Sequence, residues 1–258
     1  MTGDVVILGC GGSFGTPAAG GIWGDCDPNE PKNERTRASI YIRKNGVKLL
    51  VDTSYDLRLQ MNRHHITDLD GVLYTHAHSD HVAGIDDLRM VCFRHKKILD
   101  VYGSAATLQE ITHRWSYVFN AKPEGIYKQF LNPIEIPDAG GFTVGGLDIE
   151  SYEQDHMTCI SQGFRVGDFA YSVDVVNLPE KSLARLGGLK TWVVDCGAYK
   201  RDVLQSHANL ARVMAWVERL KPETTYLTDL TTMMDYRTLC DELPAHVRPA
   251  YDGLTIKI

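Results

Sequence analysis

His76, His78, Asp80 and His81 fall within the seven residues Thr75–His81 (THAHSDH). Three imidazoles and a carboxylate packed that closely are costly to desolvate unless they share a partner. Imidazole suits zinc, manganese and iron, and a carboxylate widens the range to harder cations. Alternate side chains of an extended stretch point the same way, so His76 and His78 can reach one ion together. Asp80 and His81 follow a bend and can turn towards a second ion beside the first. A single catalytic zinc takes three protein ligands and one water. Four ligands in one loop exceed that need, so two metal ions are expected, doing the work of a hydrolase that activates water. A histidine-rich surface loop is the bland alternative, and the H-x-H-x-D-H spacing disfavours it.

Such a loop needs a rigid frame. Gly71-Val72-Leu73-Tyr74 reads as a short buried strand, and Val82–Arg89 as the opening of a helix. The ligands therefore lie on a strand-to-helix loop at a strand's carboxyl end, where α/β proteins place chemistry. Further strands are expected at Val5–Leu8, Ala38–Arg43, Lys48–Val51, Ile98–Tyr102, Ile134–Ile136 and Phe142–Val144. Later ones fall at Leu147–Tyr152, Gly163–Val166, Phe169–Ser172, Thr191–Asp195 and Thr225–Leu227. Helical patterns fit Leu57–His64, Ile85–Arg94, Ala105–Phe119, Lys181–Leu186, Ala208–Leu220 and Met234–Glu242. The spacing of Leu210, Val213, Met214, Val217 and Leu220 makes the fifth of these amphipathic, with a cap expected near Ser206. The residues alone give an α/β class and one domain over 1–258. Gly9, Gly11, Gly12 and Gly15 follow the first strand, but no helix follows them, which removes a dinucleotide-binding reading. A tight turn bringing backbone close to the metal cleft is expected instead.

Composition bounds the setting. Of 258 residues, 43 % are apolar and 23 % charged, ordinary values for a soluble globular protein. The net charge of −6 argues against a dedicated nucleic-acid surface while leaving room for a local anion pocket. No apolar run approaches the length of a membrane span, and Met1-Thr2-Gly3-Asp4 has no basic leader region. Cys10, Cys26, Cys92, Cys159, Cys196 and Cys240 show no pairing rhythm, so reduced thiols and a cytoplasmic location are expected.

The histidine loop after a short strand resembles the metallo-β-lactamase-fold hydrolases, and other stretches extend the resemblance nearly end to end. Val51-Asp52-Thr53-Ser54 is similar to that fold's first motif, whose Asp braces the metal loop. Asp155-His156, about 75 residues past the loop, matches the isolated third histidine of the first metal. Ala170–Asp174 matches the strand whose terminal Asp bridges two metals. Ile7–Ser13, Trp23–Pro28, Pro31–Asn33, Gly84–Arg89 and Pro249–Gly253 resemble the branch containing the cyclic-phosphate phosphodiesterase of phosphonate breakdown. The resemblance implies a four-layer αββα sandwich and two divalent ions, zinc or manganese. It implies hydrolysis of a small cyclic phosphate or nucleotide-like phosphodiester. His76, His78, Asp80, His81, His156 and Asp174 would be the metal ligands, with Asp80 also a partner of the reacting water. His207 would stand beside the active site, where an imidazole could protonate a leaving alkoxide. Relatives of this branch can hold a structural zinc on a cysteine cluster in the early loop around Cys26; this chain has only Cys26 in that loop, so that thiol is expected to be buried.

One departure stands out. The family ends its metal set with a histidine in a Thr-His context, whereas this chain reads Leu227-Thr228-Asp229-Leu230. Asp229 could supply a carboxylate to the second ion, which would favour manganese, iron or magnesium there. The partners expected are a small phosphodiester, with no membrane; a homodimer stays open. A 3′-end RNA nuclease, a thiolester or lactam hydrolase, and a metal-binding module without turnover remain the rivals.

Overall fold

Val5-Val6-Ile7-Leu8 and Ile40-Tyr41-Ile42 are apolar at every position because both faces of their strands are covered. Val5, Ile7, Ile40 and Ile42 point into one core; Val6, Leu8 and Tyr41 point into another. This period-two division recurs along the chain and builds its layers. The computed structural model describes residues 3–120, 128–199 and 206–258.

One sheet contains β1 (Asp4–Gly9), β2 (Ser39–Lys44), β3 (Val47–Val51), β4 (Gly71–Leu73), β5 (Leu99–Gly103) and β6 (Leu131–Glu135). The other contains β7 (Gly140–Val144), β8 (Leu147–His156), β9 (Cys159–Val166), β10 (Phe169–Ser172), β11 (Thr191–Asp195), β12 (Thr224–Thr228) and β13 (Val247–Pro249). A last strand, β14 (Thr255–Lys257), returns to the first sheet. The strand orders are β14-β1-β2-β3-β4-β5-β6 and β13-β12-β11-β10-β9-β8-β7. Between the sheets lie Leu49, Val51, Phe164, Phe169, Tyr171 and Val193. Outside the first sheet pack α1 (Leu57–Arg63), α2 (Ser79–Val82), α3 (Leu88–His95), α4 (Ala105–Arg114) and α5 (Ser116–Phe119). Outside the second pack α6 (Glu180–Arg185), α7 (Leu210–Leu220) and α8 (Tyr236–Glu242). The result is the expected αββα sandwich. Each fully buried Leu, Ile, Val or Phe contributes about 1.5–3 kcal/mol, so three continuous cores hold the strand ends in place.

The differences from sequence expectation are local. The helix expected over Ala105–Phe119 breaks at Trp115, whose backbone leaves the helical region (φ −116°, ψ 42°). Ile85–Asp87 is a 3-10 turn ahead of α3 rather than its first turn. The cap of α7 is Asn209, which accepts from the Arg212 amide at 2.9 Å, and not Ser206. Just before it Ser206 and His207 form a turn and a bend rather than helix, and Ala208 N donates to the Val175 carbonyl at 2.7 Å. Asp235 caps α8 in the same way, accepting from Thr238 N at 2.9 Å, so that helix starts at Tyr236 rather than Met234. β13 and β14 are three-residue edge strands that carry too little alternation to be read from sequence.

Candidate metal centre

The site is assembled at one edge of the sandwich from residues just beyond strand ends. Asp52 follows β3, His76 and His78 follow β4, His156 ends β8, Asp174 follows β10, Asp195 ends β11 and Asp229 follows β12. Three of these carboxylates sit on left-handed backbone, with φ of 64° at Asp52, 54° at Asp174 and 59° at Asp229. Aspartate is one of the few non-glycine residues that visits this region readily, because its short polar side chain bonds locally. The chain thus turns sharply at each strand end and delivers the carboxylate inward. The histidine loop runs extended through His78 (φ −65°, ψ 150°) and then enters the helical turn of α2, which carries Asp80 and His81. This places the bend inferred from spacing.

Potential ligand atoms gather in three overlapping sets: His76, His78 and His156; His76, His81 and Asp174; Asp174, His207 and Asp229. Within each set they lie within 4.8 Å of one another. Asp174 and His76 each belong to two sets, so the cluster is continuous. Asp80 stands at its margin, half-buried, with Oδ2 3.7 Å from His81 Nε2. All seven residues proposed from sequence as ligands, and His207, are therefore brought to one place.

Neighbouring groups fix which ring nitrogen each histidine presents. Asp52 is fully buried; its Oδ1 accepts from Thr75 N at 2.9 Å and its Oδ2 from Thr75 Oγ1 at 2.8 Å. Thr75 Oγ1 lies 3.0 Å from His76 Nδ1 and, having given its own proton to Asp52, accepts there. His81 Nδ1 donates to Asp52 Oδ2 at 2.7 Å, and His156 Nδ1 donates to the Ser206 carbonyl at 2.8 Å. All three rings are left to offer Nε2, the arrangement that carboxylate and carbonyl partners impose on ligating histidines.

His207 is held differently. Its Nδ1 lies 2.9 Å from Asp195 Oδ2 and 3.0 Å from Asp229 Oδ2. Asp195 also accepts from Val175 N and Gly197 N, both at 2.8 Å, so it ties the Asp174 segment to the His207 segment. A Cβ at Gly197 would come within 2.8 Å of His207 Cγ, so the ring packs closely against a bare backbone. The glycine turn after β1 does approach the cleft: Gly12 N donates to Leu230 O at 3.3 Å and Leu230 N to Cys10 O at 2.8 Å, bracing the turn that carries Asp229. Buried Arg35 supports the same turn from beneath, donating to Met234 O at 2.7 Å. Cys26 is buried beside it, its Sγ 3.9 Å from an Arg35 nitrogen.

The electrostatics call for positive charge. Burial opposes the charged form of His81, yet Asp174 and Asp52 outweigh it and hold its pKa well above the ordinary value. His207 is raised in the same way: burial opposes, and Asp195 and Asp229 prevail. Burial drives His76 well below its ordinary value, with His81 adding to the effect, so its nitrogen stays a free base. Asp229 is pushed up to about 7 by burial, His207 lowering it while Asp174 and Asp195 raise it. Among the described residues, buried His76 Nε2 has no hydrogen-bond partner, while Asp174 Oδ2 and Asp229 Oδ2 face only the His81 and His207 rings, at 2.8 and 3.0 Å. A free imidazole nitrogen beside buried carboxylates that have only histidine rings to neutralise them fits a divalent metal.

The family model for the beta-lactamase superfamily domain matches residues 48–228. The chain belongs to the metallo-β-lactamase superfamily. A crystal structure of a diphosphatase from the PhnP family aligns with a TM-score of 0.90 at 26 % identity, covering 100 % of this chain and 98 % of that one. This metallo-β-lactamase-fold chain is of that PhnP-like branch, in a superfamily of metal-dependent hydrolases. Among curated proteins, an octanoyltransferase of Porphyromonas gingivalis is 28 % identical over 96 % of this chain and 50 % of its own length. A ribonuclease Z of Bradyrhizobium diazoefficiens is 26 % identical over 51 % of this chain and 46 % of its own. The chain thus spans about half the length of the curated relatives it matches.

Sequence reasoning passed over Asp195 and Ser206 as working residues. Asp195 had a readable signal, since Val-Val-Asp at the end of an apolar strand repeats the Val-Asp pattern at Asp52. Ser206 acts only through its carbonyl, which no side-chain pattern announces.

Proposed function

We propose that this domain is a phosphodiesterase that uses two divalent ions, zinc or manganese, to hydrolyse a small phosphodiester, cyclic or nucleotide-like. The observation that carries the reading is the continuous cluster of ligand atoms around buried His76 Nε2, which has no hydrogen-bond partner among the described residues. His76, His78 and His156 would hold one ion; Asp80, His81 and Asp229 the other; Asp174 reaches both groups. Metal there would polarise a phosphoryl oxygen and make water nucleophilic near neutral pH. The water oxygen bonds to phosphorus, one ester P–O bond breaks, and the departing alkoxide takes up a proton. His207 is the donor for that proton, its ring fixed by Asp195 and Asp229. Asp80, half-buried at the margin, is placed to receive the proton that the water loses. Likeness to a PhnP-family diphosphatase supports chemistry at phosphorus. A nuclease acting on RNA ends is a second reading, favoured by the ribonuclease Z match; the net charge of −6 weighs against it.

The test is hydrolysis of bis(p-nitrophenyl) phosphate by metal-stripped protein, before and after zinc or manganese is restored, with Asp174→Asn alongside. Asparagine also tolerates the left-handed backbone at this position, so the variant tests the carboxylate rather than the fold. Metal-dependent turnover that drops by orders of magnitude in the variant is expected. No turnover with either metal would overturn the reading.

A further inference from the structure

A cleft of about 650 Å³ opens beside His76 and His78, between the start of α4 and the β8–β9 hairpin. Gln162, on β9, lines it. The residue is only 1 % exposed, yet its Oε1 has no hydrogen-bond partner among the described residues. A buried, unsatisfied amide oxygen is costly, which marks this one as a group that meets a donor brought in from outside. Ile160 supplies an apolar surface in the same cleft. Glu110, Asp138 and Glu153 place carboxylates around it, and Arg114 is the cation among its lining residues. Arg114 is already engaged with the Ala77 carbonyl, and Glu153 with Lys181. Glu110 and Asp138 are exposed at the rim.

We propose that this cleft seats one organic arm of the diester, reads a hydroxyl on that arm through Gln162, and rejects phosphate-rich polymers through Glu110 and Asp138. The proposal rests on the phosphodiesterase reading and narrows it to diesters with a neutral, polyol-like arm. Chemistry decides the class. An amide oxygen buried at the cleft accepts from a hydroxyl, which can give its proton without carrying charge. An apolar wall suits the carbon face of the same arm. A polynucleotide would lay successive phosphates against carboxylates, where like charges repel and the basic track that nucleic acids require is missing among the described lining residues. His207 lies outside the cleft lining, which leaves it free to serve the opposite, departing arm.

The experiment compares p-nitrophenyl glyceryl phosphate with bis(p-nitrophenyl) phosphate, which has no hydroxyl, on the metal-loaded protein. Gln162→Met keeps the size and removes the acceptor. It should lower kcat/KM for the glyceryl ester about 5- to 10-fold, the range for one neutral hydrogen bond, and leave the other ester within about 2-fold. Calorimetric binding of glyceryl methyl phosphate should weaken by a similar factor, a readout independent of turnover. The double variant Glu110→Lys/Asp138→Lys should raise cleavage of a short single-stranded RNA at least about tenfold, by reversing the charge the polymer meets. Equal losses on both esters, unchanged binding in Gln162→Met, or a wild type that prefers the RNA would each overturn the proposal. If the wild type binds the glyceryl diester through Gln162 but turns over neither ester, the phosphodiesterase reading fails while the subsite stands.

Discussion

Replacing Asp52 by asparagine should weaken metal binding without emptying the site of ligands. Asp52 touches no candidate ion position, yet both of its oxygens are committed: Oδ1 to Thr75 N, Oδ2 to Thr75 Oγ1 and His81 Nδ1. All three partners are donors. An asparagine amide offers one oxygen, so its NH2 must face either the Thr75 amide or the Thr75 hydroxyl and His81. One buried donor then goes unpaired, a cost of about 1–3 kcal/mol, or His81 moves its proton to Nε2 and ceases to be a ligand. Loss of such an orienting carboxylate corresponds to about 10- to 100-fold in metal affinity. Titration of stripped protein with zinc against a competing chelator measures this, wild type beside Asp52→Asn, with far-ultraviolet dichroism confirming the fold. An affinity within about 3-fold of wild type would refute the tautomer argument, because the histidines would then not need their outer partners.

Gly197→Ala should push the His207 ring off Asp195, since a Cβ there meets His207 Cγ at 2.8 Å. Turnover of alkyl diesters should fall at least tenfold, while p-nitrophenyl esters, whose leaving group needs no proton, are nearly spared; equal losses would remove His207 from the acid role. Zinc or manganese at about 100 times its dissociation constant should stabilise the stripped protein by about 2.7 kcal/mol, seen as a rise in Tm that Asp174→Asn diminishes. Asp252 is almost fully buried, and burial raises its pKa to about 6, against about 3.9 in an unfolded chain. The folded state therefore holds this proton more tightly, so the stabilisation is complete below about pH 4 and is lost as pH rises through about 6. Unfolding free energies of wild type relative to Asp252→Asn should decline across that window by up to about 3 kcal/mol; a flat difference would contradict it.

The metal loop was legible because its ligands are neighbours in sequence, and the α/β class because apolar strand segments alternate with helical patterns; the four layers came only with the family resemblance. What escaped depends on contacts between distant segments. Asp195 works by collecting Val175 N, Gly197 N and His207, and Ser206 by lending a carbonyl to a histidine 50 residues away. Helix limits failed for a related reason. Ser206 and Asn209 are both competent caps, and the choice fell to Asn209 because Val175 claims the Ala208 amide and keeps that stretch out of the helix. The break at Trp115 and the edge strands β13 and β14 have no local pattern strong enough to outweigh their surroundings. Pro133 inside β6 shortened the strand read there, since a proline is admitted only at such an edge.

Asp52, Asp174 and Asp229 all turn left-handed where their strands end, and this bears on how an ion enters. The turns are set by strand pairing and core packing, so the carboxylates are aimed before any cation arrives. Capture should then be limited by water leaving the ion rather than by chain rearrangement, giving a single fast phase in stopped-flow mixing. Backbone hydrogen exchange around these turns should likewise change little on loading. The same geometry narrows the substitutions each place can accept: asparagine or glycine keeps the turn, whereas a β-branched residue would distort the strand end even before its missing charge was felt.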